Sequence, residues 1–199
     1  VIDLSRPALG VAPLLLDAVL SHATPEGTVA VRLTEVEAYL GEGVDPGSHA
    51  FRGRTPRVAS MFGPPGRLYT YFTYGMHVCA NVVCSPEGEA SAVLLRAGEV
   101  VAGVELARLR RPAVRNDRDL ARGPANLVRA LGIALSDDGA LLSAPPFELV
   151  PSGEALAPAR IRATLRTGVS GDGGRVPFEW RYHLAEEPTV SVYKRHPKA

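Results

Sequence analysis

Two glutamates, Glu35 and Glu37, stand two residues apart near the end of an alternating segment, and past them begins a stretch with no acid at all. From Pro46 to Pro86 the chain runs 41 residues without Asp or Glu, yet holds Arg52, Arg54, Arg57, Arg67, His49, His77 and six of the twelve aromatic residues. Guanidinium groups neutralise phosphates, and flat Phe and Tyr rings take up unstacked bases, so this mixture suits a nucleic acid. A carboxylate that prolongs an apolar strand face is partly desolvated, a setting that suits a general base, which makes Glu37 the sharpest candidate. Arg96, ending the apolar run Ala92 to Leu95, is a partner that would hold Glu37 ionised and oriented. A buried Glu/Arg pair without chemistry is the alternative, and Glu35 competes for the same role.

Tyr69 and Tyr71 share one face of a strand, Tyr74 falls at a hairpin tip, and Asn81 shares the face of the return strand with His77 and Cys79. An aromatic at an exposed tip suits a wedge driven into a base stack, with the inner aromatics and Asn81 lining a pocket for an extruded base. Ordinary strand packing is the competing explanation for the same rings. His77 and Cys79 could point two ligands to one side, but they lack a paired Cys/His cluster, so no metal is expected. Neither a phosphate-binding Gly-rich loop with its Lys-Ser/Thr nor a dinucleotide fingerprint is present, so no cofactor is expected.

The elements that must position these residues follow from patterning. Val11 to His22 is dense in Leu and Val and predicts a buried helix. From Val29 the period is two, which places Val29, Val31, Leu33, Glu35, Glu37 and Tyr39 on one face. Gly41 to Gly66 reads as a long loop, Leu68–Tyr74 and His77–Cys84 as a hairpin, and Ala92 to Ala97 as a short strand. Helices are expected over Val101–Arg111 and from Pro124 to Gly132, and a last strand over Val190–Tyr193. With 199 residues, 46% hydrophobic content and a net charge of +1, the chain predicts one domain, residues 1–199, whose electrostatic footprint is local. Cys79 and Cys84 should lie on opposite faces and stay unpaired. No apolar run reaches membrane-span length, and no basic stretch followed by an apolar core opens the segment from Val1.

The run Thr34-Glu35-Val36-Glu37-Ala38-Tyr39-Leu40-Gly41, then His49, Met61 through Tyr71, Tyr74-Gly75-Met76-His77, Asn81, Leu94-Leu95-Arg96-Ala97 and Gly123-Pro124 closely resembles the alkyladenine DNA glycosylase family. The resemblance implies a mixed α/β domain around a curved, mostly antiparallel sheet with surrounding helices and a protruding hairpin. It implies hydrolysis of the N-glycosidic bond of damaged purines in duplex DNA. Carried over residue by residue, Glu37 matches the water-activating base and Arg96 the arginine beside that water. Tyr39, His49 and Tyr71 match groups that touch the flipped base, and Asn81 the residue that crowds the purine C2 position. Tyr74 matches the tyrosine that fills the vacated stack; Met76, His77, Arg54 and Arg57 are candidate DNA contacts. His77 departs from the tyrosine found in vertebrate relatives. The two lysines, Lys194 and Lys198, lie at the C-terminus, away from these motifs, which implies a monofunctional hydrolase. A monomer acting on DNA in the cytoplasm, associated with the nucleoid and not with a membrane, is expected. Two other classes stay open: a non-catalytic binder of damaged DNA, and a protein-interaction domain that docks through its aromatic hairpin.

Overall fold

The computed structural model describes residues 2–73 and 75–199. In chain order it contains α1 (Ala8–Leu15), β1 (Val19–Thr24), β2 (Gly27–Leu40), β3 (Leu68–Thr73), β4 (His77–Val83), β5 (Ser91–Ala102), α2 (Val104–Arg110), β6 (Ala121–Arg122), α3 (Pro124–Leu131), β7 (Phe147–Val150), β8 (Ile161–Thr164) and β9 (Arg181–Leu184). The strands form one nine-stranded sheet with central order β3-β4-β5-β2-β1-β7. β6 adds to β5, and β9 pairs with both β2 and β8. Every pairing is antiparallel. This is the mixed α/β architecture expected from the resemblance.

Sequence patterning predicts a single helix over Val11–His22, whereas α1 ends at Leu15 and Val19–Thr24 is a strand. Leu16 is already extended and Asp17 takes φ +66°, so the helix does not continue. The alternating burial of β1 then pairs with β2 and β7, an outcome that local apolar density does not reveal. The helix expected from Val101 begins at Val104, because β5 runs on to Ala102. α3 matches its signals: Pro124 occupies the first turn, and Gly132 takes the left-handed conformation (φ +74°) while its N–H closes on Arg129 and Val128 carbonyls. The hairpin β3–β4 is present in the register Tyr69↔Asn81 and Tyr71↔Cys79.

The main core lies on one side of the sheet, where α1 and α3 pack against Leu33, Val36, Ala38, Val93 and Leu95. A smaller cluster of Ala50, Val58, Met61, Phe62, Tyr69 and Val83 packs elsewhere, with Tyr39 and Tyr71 against it. Simple alternation along β2 would place Glu35 and Glu37 in phase with Leu33. The β2–β5 register instead shifts three times, once between Ala30 and Val31 and twice around the glutamates, where Leu33 faces Gly98, Glu35 faces Ala97 and Val36 faces Leu95. Thr34 is thus an extra residue on β2, and Arg96 is an extra residue on β5. Each bulge turns its strand over, so Leu33, Val36 and Ala38 all reach the main core while Glu35, Glu37 and Arg96 are released from it.

Val190–Tyr193 is not a strand. Its backbone is engaged by side chains: Glu35 accepts the Ser191 N–H, Arg122 donates to the Val190 carbonyl and Arg181 to the Ser191 carbonyl. Cys79 and Cys84 are both buried and unbonded, with Cys84 in the main core. Among the described residues no helix is long and apolar enough to cross a membrane.

Candidate active site

A cavity of about 500 Å3 opens beside β3 and β4. Tyr39 from β2, His49 from the following loop, Tyr69 and Tyr71 from β3, His77, Cys79 and Asn81 from β4, and Arg96 from β5 all line it. Its volume falls in the range of small-molecule sites. The His49 ring meets Tyr71 edge-on at 4.7 Å between centroids, and Tyr69 and Tyr71 lie 5.6 Å apart, so flat apolar surfaces form one wall. The Asn81 amide is buried and donates to the Tyr69 carbonyl at 3.0 Å, which fixes that side chain against the wall.

Glu37 is completely buried and lies just behind the lining. Its Oε1 accepts the Thr167 backbone N–H at 2.6 Å, and its Oε2 accepts the Tyr39 hydroxyl at 2.8 Å and Arg96 Nη1 at 3.3 Å. All three donors belong to residues that line the cavity. Glu35 is equally buried but saturated: Arg96 Nε at 2.6 Å, Arg181 Nε at 2.7 Å, and Ser191 through N at 2.6 Å and Oγ at 2.9 Å. The two glutamates are therefore unlike. Glu35 anchors Arg96 and Arg181, while Glu37 faces the cavity through its donors.

The electrostatics follow from burial set against these pairs. Burial disfavours the Glu35 charge, yet Arg96 and Arg181 outweigh it and hold its carboxyl below the ordinary value. Burial likewise opposes the Arg96 charge, and Glu37 with Glu35 more than restores it. Burial, reinforced by the Glu37 charge, pushes the Tyr39 phenol well above its usual range, so it remains a proton donor to Glu37. Burial raises Tyr69 to about 12, and it raises Tyr71 with help from the Cys79 contact. Burial, aided by the nearby Arg57 cation, lowers His49, which favours a neutral ring in the wall.

The sequence candidates divide on this geometry. Glu37, Arg96, Tyr39, His49, Tyr71, Asn81 and His77 are brought together. Met76 is exposed at the β3–β4 end, and Arg54 and Arg57 are exposed in the loop before the cavity. Tyr74 lies outside the described residues. Lys194, expected to be remote, lines the cavity, because its carbonyl accepts the Gly168 N–H at 2.8 Å and fastens the C-terminal segment beside Thr167 to Ser170. Sequence reasoning also missed Asp45, which lies between Gly41 and His49, and Thr167, Arg166 and Arg181, which are far from the motifs in the chain. Among the described residues no group of three or more His, Cys, Asp or Glu side chains could hold a metal ion.

A buried carboxylate flanked by an arginine, beside a cavity walled by aromatic rings, suits a hydrolase that acts on a flat heterocycle attached to a leaving bond. The methylpurine-DNA glycosylase (MPG) family profile matches residues 2–188, and the chain belongs to that family. It is a DNA glycosylase, an N-glycosyl hydrolase. It is 63% identical over 198 residues to a protein of Leifsonia xyli subsp. xyli, with 96% of this chain and 90% of that one covered. It is 55% identical over 195 residues to one of Streptomyces avermitilis, with 96% and 90% covered. Identity to a Corynebacterium glutamicum protein is 43% over 197 residues, with 99% and 98% covered. All three relatives are named as 3-methyladenine DNA glycosylases.

Proposed function

We propose that this protein excises 3-methyladenine and 7-methylguanine from duplex DNA, and extends to hypoxanthine and ethenoadenine. The damaged nucleotide turns out of the stack into the cavity, water replaces the base, and an abasic site is left. The observation that carries this reading is the Glu37 carboxylate, held by Thr167, Tyr39 and Arg96 directly behind an aromatic-walled cavity. Departure of the base leaves oxocarbenium character on the sugar. The Glu37 carboxylate stabilises it and takes the proton of the attacking water, while Arg96 holds the carboxylate in place. Because the carboxylate is shielded in the free protein, entry of the nucleotide must admit water past its donors.

The remaining lining residues serve recognition. Tyr39, Tyr71 and a neutral His49 offer π-faces and edges to a purine, and a methylated purine cation gains further from the ring faces. Asn81, held by its hydrogen bond to Tyr69, crowds the C2 position and rejects the exocyclic amine of guanine. Arg54, Arg57, Met76 and His77 contact the duplex, and Tyr74 fills the vacated stack. The protein acts as a monomer in the cytoplasm with the nucleoid as its substrate store, and it hydrolyses without a lyase step.

The test is single-turnover base release from labelled duplexes bearing 3-methyladenine or hypoxanthine, with alkali to reveal abasic sites. Wild type should release base, and Glu37→Gln should bind the lesion yet release none. Lesion binding by wild type without release would favour a damage binder. Failure both to bind and to release would favour a protein-interaction role.

A further inference from the structure

We propose that Arg166 is a positioning residue for Glu37, acting through the Tyr39 ring and the Thr167 backbone; the inference rests on the glycosylase reading above. Arg166 is fully buried, so it cannot touch DNA. Its guanidinium makes a two-point pair with Asp45, Nη1 to Oδ2 and Nη2 to Oδ1, both at 2.7 Å. Nη1 also donates to the Ala38 carbonyl at 3.1 Å and Nη2 to the Gly173 carbonyl at 2.8 Å. The guanidinium carbon lies 4.5 Å from the Tyr39 ring centroid, with Trp180 at 5.1 Å and Phe178 at 5.8 Å. The cation thus sits against the ring whose hydroxyl binds Glu37.

The second route runs along the chain. The Thr167 N–H belongs to the peptide that joins it to Arg166, and it donates to Glu37 Oε1 at 2.6 Å. Anchoring the guanidinium holds the Arg166 side chain and, through it, the backbone that carries this donor. Two of the three donors to Glu37 depend on Arg166 in this way, while the third, Arg96, is fixed by Glu35. The same ion pair shapes the loop that carries His49. Asp45 accepts the Leu40 and Gly47 N–H groups, and a Cβ at Gly47 would stand 2.5 Å from Arg166 Nη2, so the loop backbone rests directly on the guanidinium.

Stability alone is a weak reason for this pair. Buried ion pairs often add little over an apolar replacement, and the Arg166 Nε has no partner among the described residues. What a planar, forked cation supplies is simultaneous grip on a carboxylate, two carbonyls and a ring face, which a lysine ammonium cannot reproduce.

Arg166→Lys keeps the charge and loses the fork; Asp45→Asn keeps Arg166 and weakens its hold. For folded protein, checked by melting and by lesion-duplex titration of the active fraction, each variant should slow single-turnover base release by about 10- to 100-fold, the scale expected for sub-ångström to ångström misplacement. The lesion Kd should stay within about threefold. In a cycle with Tyr39→Phe, the Arg166→Lys and Tyr39→Phe effects should be less than multiplicative, because both act on the same donor. Wild-type release rates in both folded single variants, beside an active wild type and an inactive Glu37→Gln, overturn this inference alone. If neither variant folds, the pair is a folding element and the positioning role falls. A wild type that releases no base removes the glycosylase reading and this inference with it.

Discussion

Glu35 and Glu37 are two residues apart and equally buried, yet the structure predicts opposite consequences for neutralising them. Among the described residues, Glu35→Gln removes the only carboxylate that Arg181 contacts and the closer of the two that Arg96 contacts, at 2.7 Å and 2.6 Å. Breaking a buried pair by removing one partner costs about 3–5 kcal/mol, because the other charge stays desolvated. At about 2–4 °C per kcal/mol for a chain of this size, the melting temperature should fall by about 6–20 °C. Glu37→Gln removes the 3.3 Å contact to Arg96, which keeps Glu35; the amide oxygen still accepts the Thr167 N–H, and the amide N–H faces the Tyr39 hydroxyl, whose hydrogen bond must reverse. Its cost should be smaller, about 1.5–3 kcal/mol, the scale of one charge-assisted hydrogen bond. Base release should show the reverse order. Glu37→Gln should abolish it, whereas Glu35→Gln should retain part of it below its melting point. Thermal melting and single-turnover release on the same samples decide the matter. A Glu35→Gln protein that melts within about 2 °C of wild type would sink the assignment of Glu35 as the structural anchor. Equal loss of stability in both variants would do the same.

Acid should destabilise the protein in two stages. The His49 pKa is lowered in the fold, so below about 6.5 the unfolded chain takes up a proton first and stability begins to fall. The Glu35 pKa is also lowered, so its contribution is complete above about 4.5 and is lost as the pH drops through its folded value. Melting curves from pH 7.5 down to about 2.5 check this, and His49→Gln should remove the upper stage only. Asn81→Ala should relax discrimination, with excision of normal guanine rising by about 10-fold or more relative to wild type. A rate on guanine no higher than wild type would count against the C2 assignment. Borohydride added during turnover should trap no protein–DNA adduct despite Lys194 at the cavity; an adduct lost in Lys194→Ala would establish a lyase step. Base release should persist at its full rate in excess chelator, and a loss restored by a divalent ion would contradict the water-and-carboxylate mechanism.

Local sequence was enough to place the hairpin and α3, and to bring the candidate residues of β3 and β4 to one cavity. Tyr69, Tyr71, His77, Cys79 and Asn81 all reach one cavity, because strand alternation is a short-range rule and the hairpin obeys it. It was also enough to pair Glu37 with Arg96. What alternation could not reveal is how that pair forms. Extra residues at Thr34 and Arg96 turn both strands over, and a bulge depends on the register between two strands rather than on either one's pattern. α1 ends early for a related reason: Val19–Thr24 is a strand because β2 and β7 are there to pair with it. The distinction between Glu35 and Glu37 likewise belongs to the tertiary structure. Ser191 and Arg181, from the far end of the chain, saturate one carboxylate, while Thr167, Tyr39 and Arg96, which line the cavity, hold the other just behind it. Arg166, Asp45 and Lys194 join the site only when the C-terminal segments fold back over it, and interactions set by chain return leave no periodic trace in the sequence.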